Sequence, residues 1–579
     1  VRQLLLLLVL CAATHLVHAQ NKVREDREPE AKTGFQDKQA FTAEKYMVVA
    51  ANPYASWAGK RILERGGNAI DAAVAVQSML TLVEPQSSGI GGGSFILYWD
   101  NKNKKLHTFD GRETAPQEAN SYLFYENRRP MKWRDAVVGG RSVGVPGTVK
   151  AFEMAHQEFG KLEWKDLFKE SIHTASNGFT VSARLEKLIS LDFHPGLKAF
   201  QESFRYFYPY GEALKEGAIR KNEALAKVYQ GIADQGSDFF YKGELAGKIA
   251  KAVKNASINP GLLTTEDIKQ YTAVKREPVC GNYRDYRICG MAPPASGGIT
   301  VFQILKTLES FNLGQYQPNQ EEAVHLLSQS SALAFADRDS YLADPSFTYL
   351  PFGSLINKTY LQKRAKLVGL DKPMRKMRAG AAYATAFIQV DNAFEKPNTS
   401  HFSIVDNEGN AVAVTSSIEF AFGSALMVEG FLLNNQLTDF SFAPNRGNYK
   451  AMNRVEPGKR PRSSMAPTMV FNKDGELLLV LGSPGGSRIL SYVAQTLVGV
   501  LDWKLDIQQA INLPKFTNRN DYTALEKDTA IAQLEGKLKA RKHKVKIIDL
   551  NSGLHGIMLQ NGKLIGGADP RREGIAVGE

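Results

Sequence analysis

The chain has 579 residues, 43% of them hydrophobic and 23% charged. This is the composition of a folded globular protein long enough for more than one ordinary domain, and it excludes a disordered or low-complexity chain. The formal net charge of +12 comes without an Arg/Lys run interleaved with aromatics, so it reads as a solvated surface and argues against nucleic-acid binding.

Val1-Arg2, an apolar run over residues 4–10 and the ending Val17-His18-Ala19 have the layout of a secretory signal, with cleavage expected after Ala19. Leu10 before Cys11 is a poor fit to a lipoprotein processing site. The run is short for a membrane span, and no later run of about 18 apolar residues follows. The expectation is an exported protein, periplasmic or secreted, with no membrane span in its mature form. The opening Val fits a bacterial alternative start codon, which would make the compartment periplasmic.

Residues 20–40 are charged and aperiodic. A strand is expected over 46–50, then helices over 58–64 and 68–82 separated by Gly66-Gly67. The glycine-rich loop 88–94 runs into a strand over 95–99. Its place after a helix and before a strand, with no Gly-Lys-Ser/Thr, favours tight backbone packing over a phosphate loop. Gly144-Val145-Pro146-Gly147-Thr148 opens an amphipathic helix to about residue 159, and the chain to about 273 is largely helical. Pro293-Pro294 precedes an apolar helix over 299–308, and another helix covers 321–342. Strands are expected at 468–471, 477–481, 557–559 and 564–566, with a helix over 489–500. Beyond residue 19 only Cys280 and Cys289 remain. With Arg284-Asp285 as a two-residue turn they face each other at a non-hydrogen-bonded pair. A disulfide formed in an oxidising compartment and two half-buried free thiols both satisfy that placement.

The informative stretch is 398–419. Two alternating runs flank Asn407-Glu408-Gly409, a three-residue hairpin loop whose last position suits a left-handed glycine. With Glu408 at the centre, Thr399 faces Ser417 and His401 faces Thr415. One face then carries Thr399, His401, Ser403, Thr415 and Ser417, and the other carries Phe402, Ile404, Val412 and Val414.

Thr399-Ser400-His401, Ser403, Val405-Asp406, Gly409-Asn410, Val412, Thr415, Ile418-Glu419 and Phe422-Gly423 together resemble the signature of the γ-glutamyltranspeptidases, and the resemblance runs from about Lys45 to the C-terminus. Members of that family are N-terminal nucleophile (Ntn) hydrolases that cut themselves to expose a threonine. The resemblance implies an α+β fold, a four-layer αββα sandwich formed jointly by two processed subunits. It divides the chain into a signal peptide at 1–19, a large subunit at 20–398 and a small subunit at 399–579, joined as a heterodimer. The scissile bond falls between Asn398 and Thr399. Once freed, the Thr399 α-amine, with a pKa near 8, can take the proton of its own hydroxyl.

Ser417 stands where the family usually has threonine; it keeps the hydroxyl and loses the methyl that stiffens χ1. His401 reads better as a structural histidine than as a catalytic one. Gly485 and Gly486, in Gly482-Ser483-Pro484-Gly485-Gly486-Ser487-Arg488, follow a strand and open a helix; they match the family's oxyanion-hole pair. By the same resemblance Arg112, Ser463 and Ser464 hold the α-carboxylate of a γ-glutamyl donor, and Glu419, Gln436 and Asp439 take its ammonium. Arg462 stands where leucine is usual. The stretch between Asp439 and Lys459 is shorter than a full lid, with Tyr449 as its only lid tyrosine.

The expected activity is cleavage of glutathione or other γ-glutamyl amides through a γ-glutamyl-threonine acyl-enzyme. Water, an amino acid or a dipeptide is the acceptor, and no cofactor or metal is implied. A cephalosporin- or glutaryl-type acylase of the same fold is one rival, and an inactive exported homologue acting by binding is another. Asn255, Asn357 and Asn398 begin sequons that matter only if the source glycosylates.

Overall fold

The structure is a computed structural model that describes residues 34–348, 352–382, 388–389, 391, 393, 395–396, 398–446 and 449–579. The expected signal segment lies outside the described residues.

Fourteen strands build two antiparallel seven-stranded sheets. In chain order they are β1 (Phe41–Ala43), β2 (Met47–Ala50), β3 (Gly93–Asp100), β4 (Lys105–Gly111), β5 (Val274–Lys275), β6 (Val279–Tyr283), β7 (Tyr286–Gly290), β8 (Ser400–Val405), β9 (Ala411–Ser417), β10 (Thr468–Phe471), β11 (Leu477–Gly482), β12 (His555–Gln560), β13 (Lys563–Ala568) and β14 (Ile575–Gly578). The first sheet runs β14-β2-β8-β9-β3-β4-β5, and the second β1-β13-β12-β11-β10-β7-β6. Each sheet mixes strands from before and after residue 398, so neither half of the chain contains a complete sheet.

Seven helices cover the outer faces: α1 (Pro53–Glu64), α2 (Ala69–Val83), α3 (Thr148–Phe159), α4 (Gly297–Leu308), α5 (Glu321–Tyr341), α6 (Ile489–Leu501) and α7 (Ile507–Asn512). Their starts are written locally. Asn52 caps α1 ahead of a proline, and Asn68 with Asp71 forms a capping box on α2. Gly66, at φ 86, makes the break between them. Every residue of α2 is buried, as befits a helix that is apolar all round. No described helix is long and apolar enough to cross a membrane.

Three apolar layers hold the stack together. Val48, Ile96, Phe402, Ile404, Val412 and Val414 of the first sheet pack on α1 and α2. Val470, Leu479 and Leu481 of the second sheet pack on α4, α5 and α6. Between the sheets, Val49, Phe95, Leu97 and Ala413 meet Met469, Val480 and Ile557. This is the four-layer αββα arrangement.

The central hairpin keeps its expected register. Val405 pairs with Ala411 and His401 with Thr415, and Gly409 sits at φ 76. Asp406 ties down the loop by accepting from the backbone of Glu408 and Asn410, and from Ala69 at the start of α2. The hydroxyl-rich face does not meet solvent. It lies between the sheets, where Ser403 donates to the carbonyl of His555 at 3.2 Å. The His401 ring covers Gly482, where a Cβ would come within 2.3 Å of it. Cys280 and Cys289 are directly opposed across β6 and β7 and joined by a disulfide. The 88–94 loop is tight packing: a Cβ on Gly91 or Gly92 would fall about 2 Å from the carbonyl oxygens of Leu432 and Ser417.

Candidate active site

Thr399 sits one residue before β8, and Ser417 ends β9, so the hairpin register brings the two hydroxyls together at the open end of the first sheet. Both residues are buried. The Thr399 hydroxyl donates to the carbonyl oxygen of Asn398, the bond expected to break. It lies 3.2 Å from Ser417 Oγ, which is itself 3.2 Å from the same carbonyl and accepts from the Glu419 N–H at 2.8 Å. The Asn398 side chain is gripped from outside the hairpin: its amide donates to the carbonyl of Gln86, and its oxygen accepts from Ser87 at 3.0 Å. His401 is fully buried between Thr415 at 2.9 Å and Ser403 at 3.2 Å. Burial, then His555, holds its pKa well below the usual value. It is a neutral structural residue.

A narrow cleft opens beside the threonine. It gathers Asn398, Thr399, Ser417, Glu419, Gln436, Asp439, Ser463, Ser464 and Gly486. Arg112 and Gly485 are not part of its lining. Gln436 and Asp439 share one turn, with Gln436 Nε2 donating to Asp439 Oδ2 at 3.1 Å. Gln436 Oε1 and Asp439 Oδ1 are buried acceptors without a hydrogen-bond partner, the kind of atoms that a substrate cation would satisfy. Burial pushes Asp439 up to about 6 against the pull of Arg112. Burial and then Asp439 push Glu419 well above the carboxylate range. Glu419, at φ 76, accepts from Asn435 at 2.5 Å and from the Lys396 N–H at 3.3 Å.

Arg112 is fully buried and already engaged. Its Nη2 donates to Asp439 at 2.6 Å and to the carbonyl of Arg462 at 2.9 Å, and its Nε donates to the carbonyl of Pro461 at 3.1 Å. Arg112 and Asp439, read from sequence as ligands for opposite ends of one substrate, are thus bonded to each other. Beneath them Glu113 is fully buried, and burial raises it to about 8.

On the facing sheet, β11 ends at Gly482 and α6 begins at Ile489. Gly485 at φ 132 and Gly486 at φ 55 turn the chain between them. A Cβ on Gly485 would come within 2.8 Å of the Tyr492 ring. Left-handed backbone and this close approach together require glycine there. Tyr449 is 44% exposed and lies outside the cleft lining.

Several cleft residues escaped the sequence reading. Glu395 lines the cleft and is held by Arg338, Arg462 and Ser464. Arg462, which stands where the family usually has leucine, is buried inside this charge cluster. Gln86, Ser87 and Asn435 support the hairpin from loops. The side-chain composition of those loops offered no signal beyond the cluster Gln86-Ser87-Ser88 next to the glycine run.

Two antiparallel sheets face each other between helix layers, and a threonine at the start of a central strand bonds the carbonyl that precedes it. Together these define an N-terminal nucleophile hydrolase. The family profile of gamma-glutamyltranspeptidase matches residues 55–579. A glutathione hydrolase proenzyme of Bacillus subtilis (strain 168) is 37% identical over 554 residues, 93% of this chain and 92% of the relative. An acylase ACY 1 proenzyme of Pseudomonas sp. (strain SE83) is 32% identical over 93% of this chain and 95% of its own length. Among solved structures, cephalosporin acylase from Bacillus halodurans superposes with a TM-score of 0.83 at 26% identity, covering 94% of this chain and 97% of that one. The chain belongs to the γ-glutamyltranspeptidase family, a family of enzymes.

Proposed function

We propose that this chain is a precursor that cuts itself between Asn398 and Thr399 and then acts as a γ-glutamyltransferase and hydrolase on glutathione or related γ-glutamyl amides. The observation that carries the reading is the Thr399 hydroxyl bonded to the carbonyl of Asn398, with Ser417 beside both. In the cut, Thr399 Oγ attacks the Asn398 carbonyl carbon. The peptide C–N bond breaks, the nitrogen leaves as the α-amine of Thr399, and water hydrolyses the remaining ester. The freed amine then takes the hydroxyl proton, and Oγ bonds the γ-carbonyl carbon of the donor. The leaving amine departs with a proton, and water, an amino acid or a dipeptide releases the glutamyl group. The N–H groups of Gly485 and Gly486 receive the negative charge that develops on the carbonyl oxygen.

The two partnerless acceptors on Asp439 and Gln436 support a donor with a free ammonium. The test is Thr399→Ala, which should leave one uncut chain with no activity on γ-glutamyl-4-nitroanilide; an uncut but active protein would refute the mechanism. The acylase relatives and the Arg112–Asp439 pair favour a second reading, an acylase for glutaryl-type amides that lack the ammonium. Comparing γ-glutamyl with glutaryl anilides separates the two, because only the first can satisfy Asp439 and Gln436.

The export route, with a signal at 1–19 and a periplasmic or secreted product, is part of the same proposal. Mass of the mature N-terminus checks it.

A further inference from the structure

The net charge of +12 is not spread over the molecule. Residues 363–378 hold seven of the chain's 72 basic residues and one of its 60 acidic ones, and residues 537–546 hold six basic residues and no acid. The rest of the chain therefore carries 59 of each sign and is neutral in sum.

The fold joins these two stretches. The Met374 N–H donates to the carbonyl of Arg541 at 2.9 Å, and Arg541 Nη1 donates to the carbonyl of Leu370 at 2.7 Å. Beneath the junction His325 Nδ1 and His543 Nε2 are 2.7 Å apart, and His325 Nε2 is 3.0 Å from the carbonyl of Lys372. One basic surface results. It is made of irregular chain at 366–378, the helix Glu535–Ala540 and the outermost strand of a three-stranded sheet, Val545–Ile548. Three of the thirteen cations have local partners: Arg364 pairs with Asp337, Lys539 with Glu535 and Arg541 with Glu321. Arg375, Lys376, Arg378, Lys542 and Lys544 are exposed and make no ion pair among the described residues. Lysines on an edge strand guard it against pairing with another chain. That accounts for Lys544 and Lys546 but not for the cations on the other two pieces. Like charges gathered on one surface repel one another, and a negative partner relieves the repulsion.

Placement and residue type select the partner. The junction lies against the first half of α5, at Glu321, His325 and Gln329. Arg338, the α5 residue that reaches Ser464 in the cleft, comes thirteen residues after His325, about 20 Å along the helix. Only one edge approaches the cleft: Met377 exchanges hydrogen bonds with Asn520, next to Arg519, which donates to Ser487. Nine of the thirteen cations are lysines, mobile point charges rather than the guanidinium forks that grip one fixed anion. A broad layer of phosphate headgroups meets both conditions.

We propose that this surface docks the protein on an anionic phospholipid membrane, as a peripheral contact that needs no membrane span. The proposal goes beyond the catalytic reading and does not depend on the cut after Asn398.

The test is co-sedimentation of the purified exported protein with vesicles of phosphatidylcholine alone and of phosphatidylcholine with about 30% phosphatidylglycerol. Binding is expected on the anionic vesicles, and raising the salt from about 50 to about 200 mM should weaken it about tenfold or more. Lys542→Glu with Lys544→Glu should weaken it about 10- to 100-fold at the lower salt. Lys542→Arg with Lys544→Arg should keep it. Lys227→Glu with Lys251→Glu makes the same change in net charge at exposed helix positions elsewhere and should change binding less than about threefold.

Equal binding to both kinds of vesicle, or binding to neither, would overturn the proposal, as would equal loss in the two charge-reversed pairs. Binding to soluble poly-L-glutamate but not to vesicles would overturn it in favour of an acidic polymer. If Lys542→Glu with Lys544→Glu does not fold, Lys376→Glu with Arg378→Glu carries the same comparison.

Discussion

Ser417 is the most direct single-atom test of how the hairpin builds the nucleophile. Its Oγ does three things at once: it lies 3.2 Å from Thr399 Oγ1, 3.2 Å from the Asn398 carbonyl and 2.8 Å from the Glu419 N–H that it accepts. Ser417→Ala deletes one neutral hydrogen bond to the reacting pair, worth about 0.5–1.5 kcal/mol. It also strands a buried N–H on a residue whose backbone is already left-handed, at a cost of about 1–3 kcal/mol. If the first term is lost in the transition state of the cut, self-cleavage slows about 2- to 10-fold; if part of the second is felt there as well, it slows about 100-fold or more. Ser417→Thr keeps the oxygen and adds the methyl that fixes χ1, so it should cut at least as fast as the parent. The assay is the fraction of uncut chain against time on a denaturing gel, starting from freshly purified precursor. Parent-like cutting by Ser417→Ala, in a protein whose unfolding is also unchanged, would refute the role given to this hydroxyl.

Gly485→Ala forces a Cβ towards Tyr492 at φ 132, and if it displaces an oxyanion donor, kcat for γ-glutamyl amide hydrolysis should fall about 10²- to 10³-fold. Asp439→Asn takes the nearer of two carboxylates from buried Arg112, leaving Glu113 at 3.4 Å, and should destabilise the protein by about 3–5 kcal/mol in denaturant titration. It should also lower activity on γ-glutamyl anilide more than on glutaryl anilide. Glu395 gives a pH prediction. Burial works against its charge, but Arg338 and then Arg462 outweigh burial and hold it down at about 2. Its contribution is therefore fully present above the usual glutamate pKa near 4.5 and lost as pH falls through about 2. In an uncut Thr399→Ala background, Glu395→Gln should lower Tm near pH 6, by an amount on the order of 3 kcal/mol of stability, with the gap closing towards pH 2. A gap that does not depend on pH would contradict this.

The hairpin was legible because its information is local: period-two alternation, a three-residue loop and a glycine at its end fix which hydroxyls share a face. The start of α2 at Asn68 and the opposed cysteines were legible for the same reason, whereas α1 begins at Pro53 behind its Asn52 cap, five residues before the expected start at 58. The direction in which the hydroxyl face points was not. Only the second sheet, built from strands far from the hairpin in the chain on both sides of it, turns that face into an interior layer. The ionic cluster was invisible because its pairs lie 57, 67 and 126 residues apart and carry no period. Arg112 and Asp439, 327 residues apart, could be selected as site residues but not paired with each other.

The most direct test of the central claim is the intact mass of the purified, freshly matured protein, with N-terminal sequencing of the shorter chain. The account predicts two chains that meet between Asn398 and Thr399, the shorter one beginning Thr-Ser-His-Phe. A single chain after long incubation, or a junction elsewhere, would contradict it.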